Sequence, residues 1–457
     1  TYQYNYYDKY DTNYNGGIYT SLQDSDRITN EIRLTSTTES RFQWMVGAFY
    51  ENFKDGWDDR GIIPNLDTTK HWAYSQWRSC DLQTQGFPTQ CPLPPLNNVW
   101  YNDVYSRDRT QLAIFGQVDY DLTDDLRFSF GARWFEYDRY TINDRQWPVG
   151  LPVEAILVEG EGASIEDGKE SDTTFKVGLS YNLTDDKMVY ALFSQGFRLG
   201  GRNNPKAVRE NFVPENYKPD LLNNYEIGMK TEWLDRRLQI NATVFYMDWE
   251  DIQLSFSSDQ SGLWWLRGQD NGGGGDNTGV ELDVLWQATD NLRLTFNGYT
   301  GDPQYTADYV TQEAVTLVQD GTNMPDSARH KVTVAADYIL PDVFGGEMWL
   351  RYDYQYQSGM FSALWRADEA NPLSPNYVPG SDYDVDSFSK SNFQVGYEKQ
   401  SWSARLMVRN LFNERANTFT GSGAGFYADF WGHTGFGDTN NLSRPRTVSF
   451  KLTKRFD

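Results

Sequence analysis

Apolar residues recur at every second position through most of this chain, and the connections between the alternating runs are by turns very short and very long. Over 237–250, Leu238, Ile240, Ala242, Val244 and Tyr246 share one face, and Gln239, Asn241 and Thr243 take the other. Over 111–122, Leu112, Ile114, Val118 and Tyr120 oppose Gln117 and Asp119. Leu126, Phe128, Phe130 and Trp134 oppose Arg127, Ser129 and Arg133, and Val332, Val334, Ala336 and Tyr338 form a further apolar row. Period two means antiparallel strands with one apolar face, which a soluble sandwich or propeller would also satisfy. The connections discriminate. Tight turns at Thr123-Asp124-Asp125, Thr184-Asp185-Asp186, Asp235-Arg236, Thr289-Asp290 and Gln400-Ser401 alternate with long polar segments at 53–107, 139–172, 197–222, 301–329, 357–390 and 413–444. Outer-membrane barrels have short periplasmic turns and long extracellular loops; a sandwich has no reason to.

The expected fold is therefore all-β, an antiparallel transmembrane β-barrel. No run of 18 apolar residues is present, which excludes transmembrane helices, and the mean hydropathy of −0.68 is no obstacle, since only alternate strand residues meet lipid. Sixteen strands are expected, near 1–10, 28–38, 41–52, 108–121, 125–138, 173–183, 186–196, 223–234, 237–250, 277–287, 291–300, 330–339, 346–356, 391–400, 402–412 and 445–457. Tyr120, Tyr181, Tyr246 and Trp402 stand near strand ends, as interfacial girdles require. Val448, Phe450, Leu452 and Phe456 make a closing apolar row that Lys454 interrupts and Asp457 follows.

The formal net charge of −23 argues against nucleic acid, which needs a basic stripe. Cys80 and Cys91 share one Pro-containing segment and are expected to form a disulfide in an oxidising compartment, with two unpaired thiols as the alternative.

Several segments resemble the barrel of TonB-dependent receptors. They are 190–203 (YALFSQGFRLGGRN), Tyr217-Lys218-Pro219-Asp220 with Asn224-Tyr225-Glu226-Ile227-Gly228-Met229-Lys230, 242–249 (ATVFYMDW), and Val408-Arg409-Asn410-Leu411-Phe412-Asn413 with Arg444-Pro445-Arg446. Smaller matches are 30–35 (NEIRLT), 44–50 (WMVGAFY) and Gly279-Val280-Glu281-Leu282. The resemblance covers nearly the whole chain and is nearest to the iron-complex receptors. Such barrels have 22 strands around a plugged lumen. The resemblance thus implies that 1–457 is one domain, the C-terminal portion of the barrel, with six strands, the plug and the TonB-contacting segment lying upstream. A complete sixteen-stranded porin is the alternative.

The implied function is TonB-coupled import of a scarce bulky nutrient, a ferric siderophore above all. A passive channel and a surface docking platform are the competing readings. The implied partners are outer-membrane lipid and lipopolysaccharide, the TonB complex through the plug, the ferric siderophore, and a surface lipoprotein or other outer-membrane protein. Ligand capture falls to loops and the outer mouth. Trp264, Trp265 and Arg267, in the 251–276 loop, would grip a flat or anionic ligand, or else pack the loop. Arg198, Arg202 and Asn203 open the next long loop and would face the vestibule, or else bond the barrel wall to the plug. Asn271 to Asp276 with its four glycines reads as a very flexible loop root. Glu154, Glu159, Glu161, Glu166, Asp167 and Glu170 read as a solvated acidic loop. Asp382, Asp384 and Asp386 fail as a calcium loop, since Ser387 and Phe393 stand where Gly and Glu are needed. His71, His330 and His433 are far apart, and no catalytic or phosphate-binding motif occurs, so no catalytic residue, metal or cofactor is expected.

Overall fold

The computed structural model describes residues 2–6, 17–37, 40–62, 99–146, 164–203, 207–208, 211–257, 267–312, 314, 316–361, 384–421 and 439–456. Sixteen strands form one antiparallel meander. They are β1 (Tyr2–Tyr6), β2 (Gly17–Thr35), β3 (Phe42–Ile62), β4 (Val99–Asp121), β5 (Leu126–Gln146), β6 (Ser164–Thr184), β7 (Lys187–Arg198) and β8 (Asp220–Trp233). The second half comprises β9 (Leu238–Glu250), β10 (Gly275–Gln287), β11 (Leu292–Tyr305), β12 (His330–Val343), β13 (Gly346–Gln357), β14 (Phe388–Lys399), β15 (Trp402–Arg409) and β16 (Thr447–Lys454). Every strand pairs with its neighbour in chain order, and among the described residues β1 and β16 are the two edges.

Turn chemistry closes one end. Thr123 Oγ1 accepts the backbone N–H of Asp125 (3.2 Å) and Leu126 (3.0 Å). Thr289 Oγ1 does the same for Asn291 (3.3 Å) and Leu292 (3.0 Å). Each threonine satisfies donors that a two-residue turn leaves bare.

The alternation puts a continuous band of exposed apolar side chains on one face. Ile227, Val244 and Val280 are cross-strand neighbours and are 70%, 55% and 40% exposed. Trp44 and Val46 on β3, Ile114 on β4, Phe130 on β5 and Leu406 on β15 continue the row, all exposed. An apolar surface of that extent is unstable in water and marks a lipid-facing wall. Phe42, Tyr120, Tyr181, Trp233, Trp286 and Trp402 edge it near the tight turns, all exposed, where ring and headgroup match. Lys454, which interrupts the closing apolar row, lies opposite Trp402 with its Nζ 4.9 Å from the indole centroid. The break in pattern is thus a cation at headgroup level.

The opposite face, lining the interior, sets polar and charged groups among aromatic rings. Arg351 Nη1 donates to both oxygens of Asp337 (2.9 Å each), and Arg293 reaches the same carboxylate at 3.3 Å. Tyr190 Oη and Thr243 Oγ1 are 3.0 Å apart across β7 to β9.

The structure corrects the expected boundaries of five strands. Residues 53–62, 99–107, 139–146 and 164–172 fall in segments read as loops, yet they are continuous strand. β2 likewise begins at Gly17, well before position 28. β4 is 23 residues long; tilted, it stands roughly 55 Å tall against an apolar band of about 25 Å. Its upper part is wet on both faces, so no apolar period marks it. Charge and stacking set its register instead. Arg107 grips Asp55 with two bonds of 2.8 Å, Lys54 pairs with Asp108 at 2.9 Å, and Trp57 stacks on Tyr105 at 3.8 Å.

Candidate functional site

The interior wall is tiled by aromatic rings lying flat over glycines. Phe115 lies opposite Gly47, Tyr190 opposite Gly228, Phe245 opposite Gly279 and Trp349 opposite Gly396. A Cβ on any of these glycines would fall 2.2–2.6 Å from the facing ring. The missing side chain lets each ring lie down on the backbone. Cations cap the rings: Arg133 lies over Phe49 (5.2 Å) and Phe115 (5.7 Å), and Arg405 over Trp349 (5.0 Å). The lining therefore offers π-faces and positive charge, which suit flat, anionic ligands.

Towards the long-loop end, the chain leaving β7 folds onto the wall. Phe197 stacks on Phe135 at 3.9 Å, and with Leu199 and Phe49 it covers Ala113, Phe135 and Tyr137, all nearly fully buried. Arg139 Nη1 donates to the Gly200 carbonyl (2.9 Å), and the Gly200 N–H donates to Glu170 Oε2 (3.2 Å). Tyr137 Oη donates to the same Glu170 oxygen. Glu170, read as part of a solvated acidic loop, is a half-buried strand residue that pins the mouth. Glu154, Glu159 and Glu161 lie outside the described residues.

Three loops share a small apolar core of their own. Ala207, Phe212 and Val213 follow β7; Ile252, Leu254 and Phe256 follow β9; Tyr305, Leu317 and Val318 end and follow β11. All nine are buried, with Phe212 edge-on to Phe256 at 5.1 Å. The hairpin of Gln253–Ser257 with Arg267–Asn271 is thereby fastened over its neighbours. Tyr309 donates to Asp270 Oδ2 at 2.7 Å; burial, and then that carboxylate, push its phenol well above the usual range, so it stays a donor.

The glycine run is close-packed rather than loose. A Cβ on Gly272 would lie 1.9 Å from Leu254 Cδ1, and one on Gly275 2.0 Å from Met324 Cε. Gly273 has a φ of +80°, open mainly to glycine. The flexible-root reading is overturned.

Of the expected ligand-facing residues, Arg198, Arg202 and Asn203 all engage protein groups. Arg198 donates from its backbone N to Asp220 Oδ1 (3.0 Å) and from Nε to Oδ2 (2.8 Å), and its guanidinium lies 4.6 Å over Trp249. Asp220 is 1% exposed and also accepts from the Gln253 N–H at 3.3 Å. Arg202 pairs with Glu215 at the surface. Asn203, buried, donates to the carbonyls of Pro214 (2.8 Å) and Gln269 (2.6 Å) and accepts from the Gln269 N–H (2.7 Å). Arg198, through Asp220, and Asn203 tie this loop to the next, whereas Arg202 bonds within its own loop. Trp264, Trp265, Cys80 and Cys91 lie outside the described residues, and of Arg267 only the backbone is described, opposite Ser257.

The Arg198–Asp220 pair is half wet on the arginine side, with 48% of that side chain exposed. Arg198→Ala is expected to cost about 2 kcal/mol, between exposed-pair and buried-pair values. Amide exchange should accelerate over 211–219 and 251–257 while β9 and β10 keep their protection; unchanged exchange in both loops would remove the pair's role.

Comparison with known proteins places this geometry. The family model described as TonB dependent receptor-like, beta-barrel, matches residues 1–411. The pesticin receptor of Yersinia enterocolitica is 29% identical over 312 residues, 67% of this chain and 40% of that protein. The ferric-pyoverdine M114 receptor PbuA of Pseudomonas sp. (strain M114) is 26% identical over 321 residues, 67% of this chain and 33% of that protein. The crystal structure of the ferric yersiniabactin uptake receptor FyuA from Yersinia pestis superposes with a TM-score of 0.67 at 17% identity, over 96% of this chain and 56% of that one. The chain thus spans about two fifths of the length of the curated relatives it matches.

Proposed function

We propose, for a chain that belongs to the TonB-dependent receptor β-barrel family, the import of a ferric siderophore across the outer membrane, driven through TonB. The chain is an outer-membrane protein of a family of transporters rather than enzymes. The carrying observation is the interior lining: cations over flat rings, such as Arg133 on Phe49 and Phe115, beneath a mouth braced by three interlocked loops. That lining suits bulky, flat, anionic complexes better than small neutral solutes. The relatives named as receptors for ferric pyoverdine and ferric yersiniabactin support the same reading.

In this reading the loops capture the complex, and TonB acts on a plug inside the wall to open a path. Trp264, Trp265 and Arg267 belong to the proposal as ligand contacts at the hairpin between 253 and 271. Arg198 and Asn203 act there as positioning residues that hold the hairpin in place, and Arg202 braces its own loop through Glu215.

The test is growth under iron limitation after deletion of the gene, with a panel of ferric siderophores as sole iron source. At least one siderophore should cease to support growth, while free iron salts still do. Unchanged uptake of every complex would remove the assignment.

A further inference from the structure

The barrel wall forks between β6 and β7. The β5–β6 ladder runs up to Asn143 opposite Ser164, whereas the β6–β7 ladder stops at Lys176 opposite Ser194. Above that pair, residues 164–175 of β6 have no ladder partner on the β7 side among the described residues. β7 itself stays with β8 as far as Arg198 opposite Asp220. A side chain replaces the missing rung at the fork. The Phe175 N–H donates to Gln195 Oε1 at 3.1 Å, and Gln195 Nε2 donates onward to Asn223 Oδ1 on β8 at 2.9 Å.

The fork divides the mouth into two bodies. On one side β2 to β6 rise together as a tall sheet, paired rung by rung and braced by Arg107 on Asp55. On the other stand the three loops with their shared apolar core. The end of β7 is bonded into that block: Arg198 holds Asp220, Gln253 Nε2 donates to the Leu199 carbonyl at 2.9 Å, and Asn203 holds Gln269.

Above Gln195 the two bodies are joined by the stretch 197–201, laid on the inner face of the tall sheet. Phe197 stacks on Phe135, Arg139 reaches the Gly200 carbonyl, and Glu170 accepts both the Gly200 N–H and the Tyr137 hydroxyl. The fit is close. A Cβ on Gly200 would lie 2.6 Å from the Tyr217 carbonyl oxygen and 2.9 Å from Glu170 Oε1, and one on Gly201 2.7 Å from Arg139 Nη2. A ladder supplies on average one backbone bond for each residue pair. Here side chains of β5 and β6 make the bonds instead, so a local opening of the mouth breaks this joint before any ladder.

We propose that the mouth opens along this fork, the tall sheet and the three-loop block parting while each stays whole, with Glu170 as the catch. Parting widens the vestibule by moving two rigid bodies, without melting either one. It follows from the wall alone, whichever complex is imported. Glu170 is a positioning residue in this motion.

The experiment is double electron–electron resonance on the full-length protein in lipid nanodiscs. Nitroxides attached through p-acetylphenylalanine leave Cys80 and Cys91 unaltered. One pair of labels, at Asp138 and Lys218, spans the fork; a second, at Lys218 and Asp320, lies within the three-loop block, and all three sites are exposed. Glu170→Ala removes the acceptor, whereas Glu170→Gln keeps an accepting oxygen and removes the charge. Heat-shifted gel migration checks that each variant is folded. The fork pair should show a short and a longer distance. The longer one should be enriched about tenfold or more in Glu170→Ala, as loss of a hydrogen bond to a charged group implies, and less in Glu170→Gln. The second pair should keep one distance throughout. Fork distances that are the same in all three folded chains overturn the proposal. Equal broadening of both pairs overturns it too, since the block would then not move as one body.

Discussion

Val46→Arg is expected to lower the unfolding free energy in a bilayer by about 2–4 kcal/mol, the cost of a guanidinium at the bilayer midplane. Val46 is 41% exposed, and at such a position on a soluble sheet the same change would stay within about 0.5 kcal/mol. It lies on the outer face of β3, midway between Phe42 and Tyr50, both exposed. Its cross-strand neighbours, Leu34 and Gly116, give the new charge no partner. Tyr50→Arg should cost only about 0–1 kcal/mol, because there the side chain reaches headgroups. Denaturant titration of both variants in lipid vesicles measures the difference. A flat profile, with both variants alike, would mean that this face never meets lipid.

The row containing Val46 was legible in the sequence because lipid and channel impose opposite polarity on successive residues. Where both faces are wet, that signal vanishes. This is why 53–62 and 99–107 read as loop although Arg107 and Asp55 fix their register. The loop core left a trace that could have been found: Ile252, Leu254 and Phe256 alternate within a segment taken as irregular. Arg198 and Asn203 stand out in the sequence as candidate ligand contacts, but their protein partners are invisible there. Asp220 lies 22 positions from Arg198, and Gln269 lies 66 from Asn203. Only the paired strands bring them together. The acidic tract misled for the same reason, since nothing near Glu170 in sequence reveals Tyr137 and Gly200 as its donors.

Gly279→Ala is expected to cost about 3 kcal/mol, the upper end for overpacking, and to impair assembly of β9, β10 and β11. The added Cβ would lie 2.3 Å from Phe245 Cζ and 2.5 Å from the Thr300 carbonyl oxygen. The ring has little room to retreat: Phe245 is 4% exposed, and its neighbour Tyr299 lies nearly parallel at 6.1 Å. The carbonyl cannot move at all without breaking the β10–β11 ladder, in which Gly279 faces Gly301 and Val280 faces Thr300. Gly196→Ala is the matched control, since nothing lies within 4 Å of its added Cβ; it should change stability by no more than about 0.5 kcal/mol. Denaturant midpoints and heat-shifted migration of the two variants test this directly. A Gly279→Ala barrel as stable as the control would mean that the ring does not rest on the backbone, and that the flat lining of the channel needs another cause.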